Sequence, residues 1–134
     1  MTFGILYVAS GSKYLKEAVN SAHLSSIYLE GIPLSICTDI NDPSIDLSIF
    51  DRVLPLSSPE YSYRDKIVGL LDLPYERTLF LDTDAKLVHS VSNLFSDLSR
   101  FDVAGTFAPV RVPPGWVDLR IPSFFPEVNT GVLL

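Results

Sequence analysis

The chain has 134 residues and a mass of 14.8 kDa, the size of one domain. Hydrophobic residues make up 47% and charged ones 19%, with a positive mean hydropathy, which excludes a disordered chain and provides for a real core. Ten basic against sixteen acidic residues leave a formal charge of −6, so the electrostatic footprint of a duplex nucleic-acid binder is missing.

Phe3 to Ala9 (FGILYVA) is a continuous apolar run of strand length, closed by Ser10-Gly11-Ser12, and reads as a central strand covered on both faces. From Lys13 to Leu29 the period becomes helical. Leu15, Val19, Ala22 and Ser26 form one stripe, with Ala18 and Ile27 beside it, Ser12 as N-cap and Glu30-Gly31 as the stop. Ile32 to Thr38 (IPLSICT) is the next strand, followed by Asp39, a polar stretch and a short strand at Arg52 to Leu56. Tyr63 to Leu73 (YRDKIVGLLDL) has a helical pattern that Pro74 ends. Arg77 to Leu81 (RTLFL) is a strand running into Asp82-Thr83-Asp84. Val91 to Leu98 predicts a short helix capped by Ser90 or Ser92, and Phe101 to Phe107 a further strand. Five of the ten prolines lie between Pro109 and Pro126 around Trp116, a long irregular loop of the kind that often carries function. Val128 to Leu134 (VNTGVLL) closes the chain as another strand, and a buried strand without a covering helix reads as a C-terminus cut short. The alternation predicts an α/β sandwich around a mostly parallel sheet, one domain over residues 1–134.

The longest apolar runs fall short of the roughly 18 residues a membrane helix needs, and the opening residues lack a signal peptide's basic segment. Cys37 has no partner for an internal disulfide, which favours a reducing compartment. The expectation is a soluble, cytoplasmic domain with no transmembrane segment.

The most specific feature is Asp82-Thr83-Asp84. Side chains two apart on an extended chain point the same way, so both carboxylates are expected at one spot, at the carboxyl end of an apolar strand. Two adjacent carboxylates repel unless a cation intervenes, and Mg²⁺ or Mn²⁺ takes oxygen ligands of this kind. Such an ion beside a diphosphate activates a leaving group. The bland alternative is a helix cap or a turn. Asp39 ends its own strand and suits a ribose hydroxyl or base edge, or equally a turn. Ala9 to Ser12 presents backbone N–H groups between strand and helix, with neither G-x-G-x-x-G nor a Walker lysine. Arg64 and Lys66 are candidate diphosphate cations or a solvated helix face. His23 and His89 have no metal-ligand spacing, Cys37 reads as core, and Trp116 covers a sugar or anchors its loop.

Taken together, ASGSKYLKEAVNSAHLSS, CTD, YRDKI, YERTLFLDTDAKLV, NLF, FDVAGT and NTGVLL resemble the nucleotide-diphospho-sugar transferases of the GT-A fold. The similarity is closest to glycosyltransferase family 8, which includes glycogenin and bacterial galactosyltransferases. The resemblance implies a Rossmann-like GT-A three-layer sandwich and hexosyl transfer, with retention of configuration, from a nucleotide-diphosphate donor, UDP-sugar first, to an acceptor hydroxyl on a glycan, protein or small molecule. It implies Asp82 and Asp84 as ligands of Mn²⁺ or Mg²⁺, with Thr83 between them. By the same resemblance Ala9 and Ser10 touch the nucleoside, Tyr14 stacks near the base, and Asp39 is the acid after the second strand. Lys66 approaches the sugar diphosphate, while Asn129, with Thr130 and Gly131, lines the donor sugar and acceptor. Family domains run to roughly twice this length and carry a later histidine on the metal, so the resemblance implies a fragment, a truncated reading frame or half of a split enzyme, with a homo-oligomer or a completing chain as the partner. A non-catalytic nucleotide-sugar-binding remnant is the alternative. A phosphohydrolase of the haloacid dehalogenase type fits poorly, because its D-x-D follows the first strand and Lys86 stands where it needs Thr or Val.

Overall fold

The computed structural model describes residues 2–108, 115, 120, 122 and 128–134, apart from the side chain of Asp97. Its elements in chain order are β1 (Phe3–Ala9), α1 (Gly11–Ser25), a 3-10 turn (Ser26–Tyr28), β2 (Leu34–Thr38), β3 (Arg52–Pro55), α2 (Arg64–Gly69), β4 (Arg77–Leu81), α3 (Leu94–Asp97), β5 (Gly105–Phe107) and β6 (Val128–Leu133). The six strands form one sheet in the order β3-β2-β1-β4-β6-β5. β3, β2, β1 and β4 run parallel, while β6 is antiparallel to both β4 and β5. The architecture is α/β with a mixed, mostly parallel sheet, compatible with a Rossmann-like fold.

β1 is central because FGILYVA is apolar on both faces, and every residue after Phe3 is buried. Its alternation divides the core in two. Ile5, Tyr7 and Ala9 join Leu34, Ile36, Leu79 and Leu81 beneath Leu15, Ala18 and Ala22 of α1. Leu6 and Val8 join Cys37, Leu56 and Phe80 on the other face, where Val68 and Leu70 pack. α1 and α2 therefore cover opposite faces of the sheet. α2 approaches β1 closely at Gly69: a Cβ there would meet the Val8 side chain at 2.6 Å, so only glycine allows this packing.

Several expected boundaries shift. α1 starts at Gly11, with Ser10 rather than Ser12 in the N-cap position. Its buried stripe is Leu15, Ala18, Ser21, Ala22 and Ser25, whereas Ser26 and Ile27 are exposed, because the helix tightens into a 3-10 turn after Ser25. Glu30 and Gly31, both with positive φ, complete the stop. β2 begins at Leu34, and β3 ends at Pro55. α2 covers only Arg64–Gly69 of the expected Tyr63–Leu73. α3 is a single turn with Asn93 at its N-cap position, while Ser90 and Ser92 turn their hydroxyls to Glu30 instead. β5 is confined to the last three residues of the expected strand, and β6 is half exposed rather than buried. Trp116 and most of the proline-rich stretch around it lie outside the described residues. No helix among the described residues is long and apolar enough to cross a membrane.

Candidate functional site

Ser10, Asp39 and Asp82 are the residues immediately following β1, β2 and β4. Because these strands are parallel, all three stand at one sheet edge, outside the carboxyl ends. β1 and β4 are neighbours, yet the chain leaves β1 into α1 on one face and enters β4 from α2 on the other. Such a reversal opens a crevice at the carboxyl edge, where open α/β sheets bind ligands.

A cavity of about 620 Å³ occupies this place. Its walls are Val8 and Ser10 from β1 and its exit, Tyr14 and Glu17 from α1, the loop Tyr61 to Tyr63, Asp65 and Lys66 from α2, and Asp82 to Asp84. Among the described residues, four of the lining side chains are carboxylates, Glu17, Asp65, Asp82 and Asp84, against one cation, Lys66.

Asp82, Thr83 and Asp84 do not continue the strand as expected. β4 stops pairing at Leu81, and the Ala85 N–H donates to the Asp82 carbonyl at 2.9 Å, closing a turn. Polar groups beneath it draw the chain down. The Thr83 hydroxyl donates to Glu17 Oε2 at 2.5 Å, and the Ser21 hydroxyl to the Thr83 carbonyl at 2.7 Å. Ser25 Oγ accepts from the Leu87 N–H, and the Tyr7 hydroxyl donates to the Ala85 carbonyl. On the other flank the Asp82 N–H donates to the Gly131 carbonyl of β6 at 2.8 Å. Both aspartates still line the same cavity, placed there by a pinned turn rather than by strand alternation.

Lys66 reaches in from α2, its ammonium 2.5 Å from Asp82 Oδ1 and 5.6 Å from the centre of the Phe80 ring. Arg64 instead pairs with Glu60 on the exposed side of the helix, the solvated-face alternative. Between them, Asp65 is only 4% exposed. Burial pushes its carboxyl up, but the Glu60 N–H, the Ser10 hydroxyl and the Ser62 and Tyr61 N–H groups outweigh burial and hold it below the ordinary aspartate range. Glu17, Asp65 and Tyr61 are site residues that the motifs of the sequence did not single out.

Asp39 accepts from the Gly11 N–H at 2.8 Å through Oδ1 and from the Tyr61 hydroxyl at 3.0 Å through Oδ2. That hydrogen bond and the Asp39 charge push the Tyr61 phenol above its usual range. Asp39 does not itself line the cavity; Tyr61 does. Ala9 belongs to the core and is 1% exposed, whereas Ser10 and Tyr14 line the cavity, Tyr14 with the Lys13 ammonium over its ring. Asn129 and Thr130 are exposed on β6, and Asn129 Oδ1 accepts from the Gly131 N–H at 2.8 Å. Gly131 lies so near the site that a Cβ would come within 3.0 Å of Asp82 Oδ2. His23 and His89 are exposed, and neither lines the cavity. Cys37 is buried, as expected of a core residue.

The cavity's oxygen donors suit a hard divalent cation: Asp82 already holds an ammonium, and Asp84 is exposed to solvent at the rim. Among the described residues no group of three or more His, Cys, Asp or Glu side chains is placed to hold a metal ion together, so two carboxylates would have to share it with ligand oxygens or water. No protein-family model matches the chain, and no curated protein matches it significantly.

Proposed function

We propose that this chain is the donor-binding part of a metal-dependent glycosyltransferase of the GT-A kind, taking a nucleoside-diphosphate sugar, UDP-sugar first. The observation that carries this reading is an acidic cavity at the β1/β4 switch point with both carboxylates of the D-x-D turn in its wall. Carboxylates in excess over cations disfavour a bare diphosphate, so an anionic ligand needs a positive partner to enter. Asp82 and Asp84 are the residues that would hold a divalent ion, which when bound neutralises diphosphate charge and eases its departure.

The chain's own groups supply the remainder. Lys66 offers a second positive charge to the developing diphosphate. Glu17 and Ser21 hold the aspartate turn in place through Thr83. Asp65 fixes the loop carrying Tyr61 and Ser62 against Ser10. Tyr14 offers an aromatic face at the cavity wall for a base.

The test is calorimetric titration of UDP into the 134-residue chain with and without Mn²⁺, beside Asp84→Ala. Metal-dependent binding that is lost in the variant is expected; a folded chain that binds nothing sinks the reading. One observation favours a second reading, binding without transfer. Glu17, Asp65 and Asp82 are each already engaged, by Thr83, by N–H and hydroxyl groups and by Lys66, which leaves no interior carboxylate among the described residues as a ready base. Metal-dependent UDP binding with neither UDP-sugar hydrolysis nor transfer to any acceptor would identify that case.

A further inference from the structure

We propose that Lys66 is an exchangeable counter-ion: it holds Asp82 while no divalent cation is present and passes to the diphosphate once one is. The inference rests on the donor-site reading above and adds to it a reciprocal coupling between cation and anion.

The geometry carries it. The Lys66 ammonium sits on one oxygen of Asp82, with both side chains only partly exposed, at 21% and 32%. A divalent ion entering the shell of Asp82 therefore competes with Lys66 directly. The displaced ammonium stays tethered to α2 within the same cavity, and a lysine, a point charge on a flexible four-carbon stem, exchanges partners without the angular demands of a guanidinium. An anion entering first would meet more carboxylates than cations among the described lining residues, and an ammonium already engaged. An anion entering after the cation meets a smaller deficit and a released lysine. Each ligand thus improves the site for the other, and by linkage the improvement is equal in both directions.

The experiment is calorimetry on the full 134-residue chain and on Lys66→Met and Lys66→Arg. MnCl₂ is titrated alone, UDP alone, and then UDP and inorganic pyrophosphate at saturating Mn²⁺. In Lys66→Met, Mn²⁺ alone should bind about tenfold tighter, while UDP and pyrophosphate at saturating Mn²⁺ should bind about tenfold weaker. Lys66→Arg, which keeps the charge, should depart less on both measures. Mn²⁺ binding that is unchanged or weaker in Lys66→Met overturns the proposal, as does a loss confined to UDP and absent for pyrophosphate. In the wild-type chain UDP should bind about tenfold or more weakly without Mn²⁺ than with it; equal affinities overturn the proposal even if the methionine variant fails to fold. A folded wild-type chain that binds neither Mn²⁺ nor UDP defeats the donor-site reading itself, a result distinct from these.

Discussion

Glu17 accepts the Thr83 hydroxyl at 2.5 Å and so ties helix α1 to the turn that carries both site aspartates. Glu17→Ala should weaken Mn²⁺ binding about fivefold, and cost about 1–2 kcal/mol of stability for the lost charge-assisted bond. Glu17→Gln keeps an acceptor oxygen and should recover most of the Mn²⁺ affinity. Titration calorimetry with a thermal melt on the same samples separates the two effects, and failure of the glutamine variant to recover would show that the carboxylate charge itself matters.

Tyr61 occupies the Asp39 oxygen not used by the Gly11 N–H. Tyr61→Phe removes that hydroxyl from the cavity wall and leaves one Asp39 oxygen without its partner. UDP affinity at saturating Mn²⁺ should rise about threefold, because a hydrogen bond no longer competes for that oxygen. Asp39→Asn in the same background should abolish the gain, and a gain that persists would place the benefit elsewhere.

Gly69→Ala drives a methyl into Val8, which also lines the cavity. Overpacking of this kind costs about 1–3 kcal/mol, readable as a lower urea midpoint. Because Lys66 stands one turn earlier on α2, Mn²⁺ and UDP affinities should change as well. Val8→Ala combined with Gly69→Ala should restore part of both.

Asp65 has a carboxyl held below the ordinary range by N–H and hydroxyl donors that outweigh its burial. A group depressed in the folded state adds stability that is fully present above the unfolded aspartate pKa, near 3.8, and is lost as pH falls through the lower folded value. Urea unfolding should therefore show stability declining below about pH 4, more steeply in the wild type than in Asp65→Asn. The asparagine variant should be weaker at neutral pH by about 1–3 kcal/mol, since one backbone donor loses an acceptor. Parallel pH profiles for the two proteins would remove Asp65 from the acid response.

The sheet was legible where burial is decided locally. FGILYVA and RTLFL are apolar on both faces, and they pair as neighbours in the middle of the sheet. Element ends were less legible because distant contacts place them. α2 stops at Gly69, where the helix meets Val8, although the helical pattern runs on to Leu73. In the site, the acidic turn could be picked out by residue type and position, whereas Lys66 and Arg64 look alike on that basis and only the fold separates them, one over the cavity and one on the solvated face. Asp65 could not, since its burial depends on a loop folding back over it. Glu17 did leave a trace: with Ser21 and Ser25 it forms a polar ladder at four-residue spacing on α1, beside the apolar stripe. All three side chains bond to the segment from Thr83 to Leu87. A polar ladder on an otherwise burying helix is a mark of a loop docked along it.

The bond from the Asp82 N–H to the Gly131 carbonyl spans 49 residues of sequence. It sets an order on biogenesis. As the chain emerges from the ribosome, β1 to β4 can pair into a parallel sheet while β6 is still being made. During that interval the aspartate turn has its α1 anchors and Lys66 but not its backbone acceptor. A nascent chain stalled before residue 128 would therefore carry the four-stranded sheet and the cavity's lining residues, with the aspartate turn still short of one backbone bond.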